Sequence, residues 1–89
     1  MADVQVRCIR KPDRNSSHEH ITHIGSGTQV WTREQVIVWI ERGEHSFFVA
    51  DSRGRADVRV VREANRLPFL RTVADGRWTD NLLSLPTCA

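Results

Sequence analysis

Val4, Val6 and Cys8 alternate with Gln5 and Arg7, the two-residue period of a half-buried strand. The turn-forming run from Pro12 to Ser17 ends it. Between His18 and Gly25 the only apolar anchors are Ile21 and Ile24, three apart. That stretch reads as a short extended segment, with Gly25-Ser26-Gly27 as a flexible linker into a helix. The helix is announced by its ends. Thr32 and Gln35 make a capping box, and Gly43 after Arg42 suits a helix C-terminus. The β-branched run Val36-Ile37-Val38-Trp39-Ile40 would also suit a buried strand, but the caps and the span between them decide for helix. At 100° per residue, Val36, Ile37, Trp39 and Ile40 share a face and Val38 points away from it.

Ser46 to Ala50 and Ala56 to Arg62 read as the arms of a hairpin. A two-residue loop at Arg53-Gly54 sets Phe47 opposite Val60, Val49 opposite Val58 and Phe48 opposite Arg59. Leu67 to Val73 is a further strand with Pro68 near its start, closed by the turn Ala74-Asp75-Gly76. Asp80 then caps a short helical turn bearing Leu82, Leu83 and Leu85, stopped by Pro86. The fold expected is α+β, in a single domain over residues 1–89. It is a small antiparallel sheet of about four strands packed against one α-helix, with the C-terminal leucine segment closing the core.

Composition narrows the function classes. A chain of 89 residues buries only about 60–65% of the surface it exposes when unfolded, so an enzyme with a closed cofactor pocket is not expected. No cofactor is expected either. The net charge of +2 does not by itself imply a nucleic-acid or membrane partner. No apolar run approaches the roughly 20 residues of a membrane-crossing helix. The segment from Met1 to Arg10 lacks the apolar stretch of a secretory leader, so a cytoplasmic protein is expected. Cys8 and Cys88 are then expected as reduced, buried packing residues.

Several stretches in order resemble the small bacterial family filed as domain of unknown function 3892. They are His20-Ile21-Thr22-His23-Ile24-Gly25, Trp31-Thr32-Arg33-Glu34-Gln35-Val36-Ile37 with Gly43, Phe47-Phe48-Val49, and Leu70 to Gly76 followed by Asp80 to Pro86. Order and spacing carry the resemblance, which spans nearly the whole chain. It implies a compact α+β domain and brings no activity with it.

Four groups could carry chemistry. His18, His20 and His23 lie close together, and Cys8 or Cys88 could complete a zinc set, but no Cys-x-x-Cys pair accompanies them as a zinc-finger motif requires. Ser26 between two glycines imitates a nucleophile turn without its strand–turn–helix context. Phe48 with Arg53, Arg55 and Arg59 would make a sheet face able to stack a base and hold phosphates of single-stranded nucleic acid. Trp31 and Val38, if exposed together, would centre a protein-binding patch. The plainer reading makes Trp31 a hydrophobic staple at the helix start. The expected function is a small non-enzymatic binding module acting through protein contacts, with single-stranded nucleic acid as the alternative.

Overall fold

The computed structural model describes residues 2–13, 16–52 and 54–88. Helix α1 spans Arg33–Glu41, with the Thr32 hydroxyl accepting the Gln35 backbone N–H at 3.2 Å. Its exit is a Schellman turn. The Gly43 N–H donates to the Ile40 carbonyl at 3.1 Å and the Glu44 N–H to the Trp39 carbonyl at 2.9 Å. Gly43 has φ 71°, a conformation that disfavours any side chain. Val36 and Ile37 are buried, Trp39 and Ile40 lean on the core, and Val38 is 42% exposed.

Eight strands surround this helix. Before it lie β1 (Ala2–Gln5), β2 (Cys8–Arg10), β3 (His23–Ser26) and β4 (Gln29–Thr32). After it lie β5 (His45–Asp51), β6 (Gly54–Val61), β7 (Phe69–Ala74) and β8 (Arg77–Thr79). The class is α+β, but the single four-stranded antiparallel sheet is corrected to two sheets. One has five strands in the order β1-β5-β6-β7-β8, and the other has three in the order β2-β3-β4. The β1–β5 pairing is parallel.

The alternating run at the N-terminus hid this division because it serves both sheets. The Val6 N–H donates to the Phe48 carbonyl at 2.7 Å, and the next residue, Arg7, donates to the Gly25 carbonyl at 2.8 Å. The segment changes partner mid-run while Val6 and Cys8 stay inward, so the period never breaks. The linker expected at Gly25-Ser26-Gly27 is instead a hairpin, in which Ser26 pairs with Gln29 and Gly27 turns at φ 67°. Gly25 is buried inside β3. A Cβ there would stand 2.6 Å from the Cys8 sulfur, 2.9 Å from the Cys88 sulfur and 2.9 Å from the Gln29 carbonyl.

Those sulfurs are bonded to each other, which corrects the expectation of two reduced thiols. After the leucine segment the chain returns along β2. The Ile9 N–H donates to the Pro86 carbonyl at 3.0 Å, and the Cys88 N–H donates to the Ile9 carbonyl at 2.9 Å. Ile9 and Thr87 form a parallel bridge. The tail is thereby laid against β2, and Cys88 meets Cys8.

The β5–β6 register also differs from expectation, by two residues. Phe48 pairs with Asp57, Val49 with Ala56 and Asp51 with Gly54, so Phe48 does not face Arg59. An even shift leaves every side chain on its expected face, which is why Phe47, Val49, Ala56 and Val58 are still buried. Beyond β7, Asp75 at φ 53° and Gly76 at φ 76° turn the chain into β8, a short strand whose Arg-Trp-Thr content carried no apolar alternation. Leu82 is fully buried, and Leu83 and Leu85 pack on a core that runs from Val6 to Leu82.

Candidate binding cleft and the outer sheet face

Four rings from three separate elements converge on the inner side of β5. Trp31 comes from β4, Trp39 from α1, and His45 and Phe47 from β5. The Trp31 and Trp39 rings stand at 84° with centroids 5.8 Å apart, and Trp39 and His45 at 86° and 5.1 Å. Phe47 lies at 71° and 6.0 Å from Trp31, and near-parallel to Trp39 at 6.1 Å. These rings line a cleft of about 340 Å³ together with Ala2, Val4, Ser26 and Gln29. It opens where the two sheets part company, between the start of β1 and the tip of the β3–β4 hairpin. His45 is oriented there by its Nδ1, which accepts the Ala2 N–H at 3.3 Å. Among the described residues, no Asp, Glu, Lys or Arg lines this cleft.

The cleft contains one of the two residues expected to form a partner patch. Trp31 is half-buried within it, with Trp39 and Phe47 as its ring partners. Val38 is exposed on another side of α1 and does not line it. The structure therefore does not join Trp31 and Val38 into one surface.

The opposite face of the five-stranded sheet carries the Arg–Phe group. Cross-strand pairing sets Gln5, Phe48, Asp57, Val73 and Trp78 in one row across all five strands. The Arg55 guanidinium lies 4.2 Å from the Phe48 ring centroid, so it occupies the face on which a base was expected to stack. Arg55 is also held by Asp3 at 2.8 Å and by Asp57 at 3.0 Å. The hydrogen bond from Arg55, helped by one from Ser46, holds the Asp3 carboxyl below its ordinary range. Arg59 is exposed, pairs across strands with Arg71, and has no ion pair among the described residues. Arg71 reaches Asp80 at 3.4 Å and lies 5.9 Å from the Trp78 centroid. Trp78 is 50% exposed. Arg53 lies outside the described residues.

The family model described as Protein of unknown function (DUF3892) matches residues 5–86. The chain belongs to that family. No curated protein and no solved structure matches it. In this DUF3892 member all four rings of the cleft fall inside the matched span, whereas Ala2 and Val4, which close one side, fall outside it.

The histidines of this DUF3892 chain are dispersed. His20 is exposed, and His23 Nδ1 lies 2.9 Å from the Thr22 hydroxyl. His18 is buried in a 3₁₀ turn, its Nε2 3.8 Å from an Asp80 oxygen and without a hydrogen bond among the described residues. Burial depresses its pKa, with Arg71 and Lys11 adding to the effect and Asp80 opposing it. Among the described residues no three His, Cys, Asp or Glu side chains are grouped to hold a metal ion. Ser26 ends β3 and lines the cleft, with no hydrogen bond to an imidazole among the described residues. Sequence reasoning named Trp31 but missed Trp39, His45 and Phe47 as its companions. The only sequence sign was an aromatic or imidazole just before the helix, within it and just after it.

Proposed function

We propose that the protein is a small non-enzymatic binding module whose partner is gripped in the cleft of Trp31, Trp39, His45 and Phe47. One observation carries this reading. It is a concave site of about 340 Å³, with rings at four of its eight lining residues and few polar groups, the form that ligand sites usually take. Trp is also among the residues that dominate binding energy at interfaces. Val38, a lone exposed aliphatic residue, has no part in it. The test uses tagged protein as bait, with captured species identified by mass spectrometry. Wild type should retain a species that folded Trp31→Ala and Trp39→Ala variants lose. Retention indifferent to both substitutions overturns the assignment.

A second reading keeps single-stranded nucleic acid on the outer face, with a change of residues. The ring supporting it is Trp78, which is half exposed beside Arg71 and Arg59, rather than Phe48, which Arg55 covers. Losing a base stack costs roughly 1–3 kcal/mol, and each lost phosphate contact flattens the log–log salt slope by roughly 0.7. A labelled mixed-sequence strand titrated at two salt concentrations should bind wild type more tightly than Trp78→Ala, with a flatter slope for Arg59→Ala. Absence of binding at low salt rejects this reading.

Location follows the same logic. No helix among the described residues is long and apolar enough to cross a membrane. A cytoplasmic site would keep Cys8 and Cys88 under reducing pressure, whereas their bond favours an oxidising one. Thiol trapping in intact cells separates the two.

A further inference from the structure

We propose that the aromatic cleft is a receptor for a quaternary methylammonium group. The proposal rests on the binding-module reading and names the chemistry of the ligand. Aromatic rings are negative over their faces, so a cation placed against several of them is held without any carboxylate. Here Trp31 and His45 each stand nearly perpendicular to Trp39, at 84° and 86°, and all three rings line the same cleft.

The other aromatic rings show what the cleft lacks. On the outer face a guanidinium lies 4.2 Å from the Phe48 centroid, and another lies 5.9 Å from the Trp78 centroid. Both of those rings are already supplied with a cation by the chain itself. The cleft rings have none, because among the described residues no Arg or Lys lines the site. None of the described side chains supplies these rings with a guanidinium or an ammonium.

The absence of acidic groups from the lining selects among cations. A primary ammonium carries three N–H donors, and the cleft offers only the side-chain oxygens of Ser26 and Gln29 and local backbone to receive them. Burying unpaired donors is costly, whereas a quaternary nitrogen has none to satisfy. A phosphate or carboxylate would meet ring faces of its own sign with no cation to offset them. Ala2 and Val4 supply the apolar contact that methyl groups need.

The experiment titrates the full chain with choline, tetramethylammonium, ethanolamine and 3,3-dimethyl-1-butanol, the neutral shape-mimic of choline. A Trp78→Phe background leaves Trp31 and Trp39 as the only tryptophan reporters. Choline and tetramethylammonium should change the fluorescence saturably. Choline should bind about 5- to 30-fold more tightly than its neutral mimic, the range expected of a desolvated cation–π contact. Trp39→Leu, which keeps apolar bulk and removes the ring, should erase that preference. If this variant fails to fold, the ratio of choline to its mimic on the parent protein decides alone. Equal binding of the two overturns the cation assignment and leaves the binding-module reading standing. Absence of binding by all four ligands, with a captured species still lost in Trp31→Ala, also overturns it. A trimethyl-lysine peptide binding more tightly than choline places the group on a protein. The reverse order places it on a small molecule, and both orders support the proposal.

Discussion

Phe47 and Phe48 are neighbours on β5, yet one belongs to an uncharged enclosure and the other to an ionic lattice. Phe47 is 2% exposed and touches rings only from its own side of the sheet. Phe48 is half-buried under Arg55, which Asp3 and Asp57 hold in place. Around Phe48 the outer face has satisfied itself: Arg55 meets Asp3 and Asp57 and covers the ring. The inner face offers aromatic surface that the chain does not cover. A run of arginines beside an aromatic is thus a poor guide to a binding site until the nearby carboxylates are placed.

The largest expected effect bears on the enclosure's far wall. The cleft exists only while the three-stranded sheet stays docked, and the bond between Cys8 and Cys88, 80 residues apart, ties its edge strand β2 to the C-terminal tail. In the chain-entropy picture a closure of that length stabilises by about 4–5 kcal/mol. Cys88→Ser should therefore lower the denaturant midpoint steeply, and adding reductant to wild type should reproduce the loss. An unchanged midpoint would show that packing alone holds the wall. Phe47→Ala comes next, at about 3–5 kcal/mol for a buried ring, against a much smaller loss for Phe48→Ala. Equal losses would erase the distinction between the two faces.

A smaller effect separates the faces by pH. Buried His18 beside Arg71, Lys11 and Asp80 has a native pKa below its ordinary 6.5. The unfolded chain therefore takes up its proton first. Stability is complete above about 6.5 and falls as pH drops from there through the depressed native value. His18→Gln should flatten that limb of a melting-temperature profile. The Asp3 and Glu41 carboxyls, held low by hydrogen bonds from Arg55 and Arg62, lose their contribution only at more acid pH, as the pH falls through their depressed native values. The smallest effect is expected of Asp3→Asn. Its ion pair is exposed and screened by salt, so the melting temperature should hardly move. The substitution should nevertheless loosen Arg55 from Phe48, and a ring-current shift at the Phe48 protons would report it.

What could be read in the chain beforehand was local. Thr32, Gln35 and Gly43 bound the helix, Asp75-Gly76 makes a turn, and clustered leucines mark the core, because each signal acts within a few residues. The even slip of the β5–β6 hairpin changed which residue faces Phe48 without disturbing the pattern of burial. The missed features are long-range. Gly25 looked like linker because the sulfurs that require it come from β2 and the C-terminal tail. Cys8 and Cys88 gave no hint of adjacency, since only the tail's return along Ile9 brings them together. The cleft needed Trp31, Trp39 and His45 to be delivered from β4, α1 and β5, and no spacing rule encodes that meeting.

The Cys8–Cys88 bond has a topological consequence. It makes residues 8–88 a covalent ring. One proteolytic cut at the exposed connection between β6 and β7, around Glu63 to Leu67, would open the ring without dividing the molecule. The nicked protein should run as a single species until reductant releases two fragments. Damage to that surface would then go unnoticed on an unreduced gel, where the only change in mass is the water added by hydrolysis.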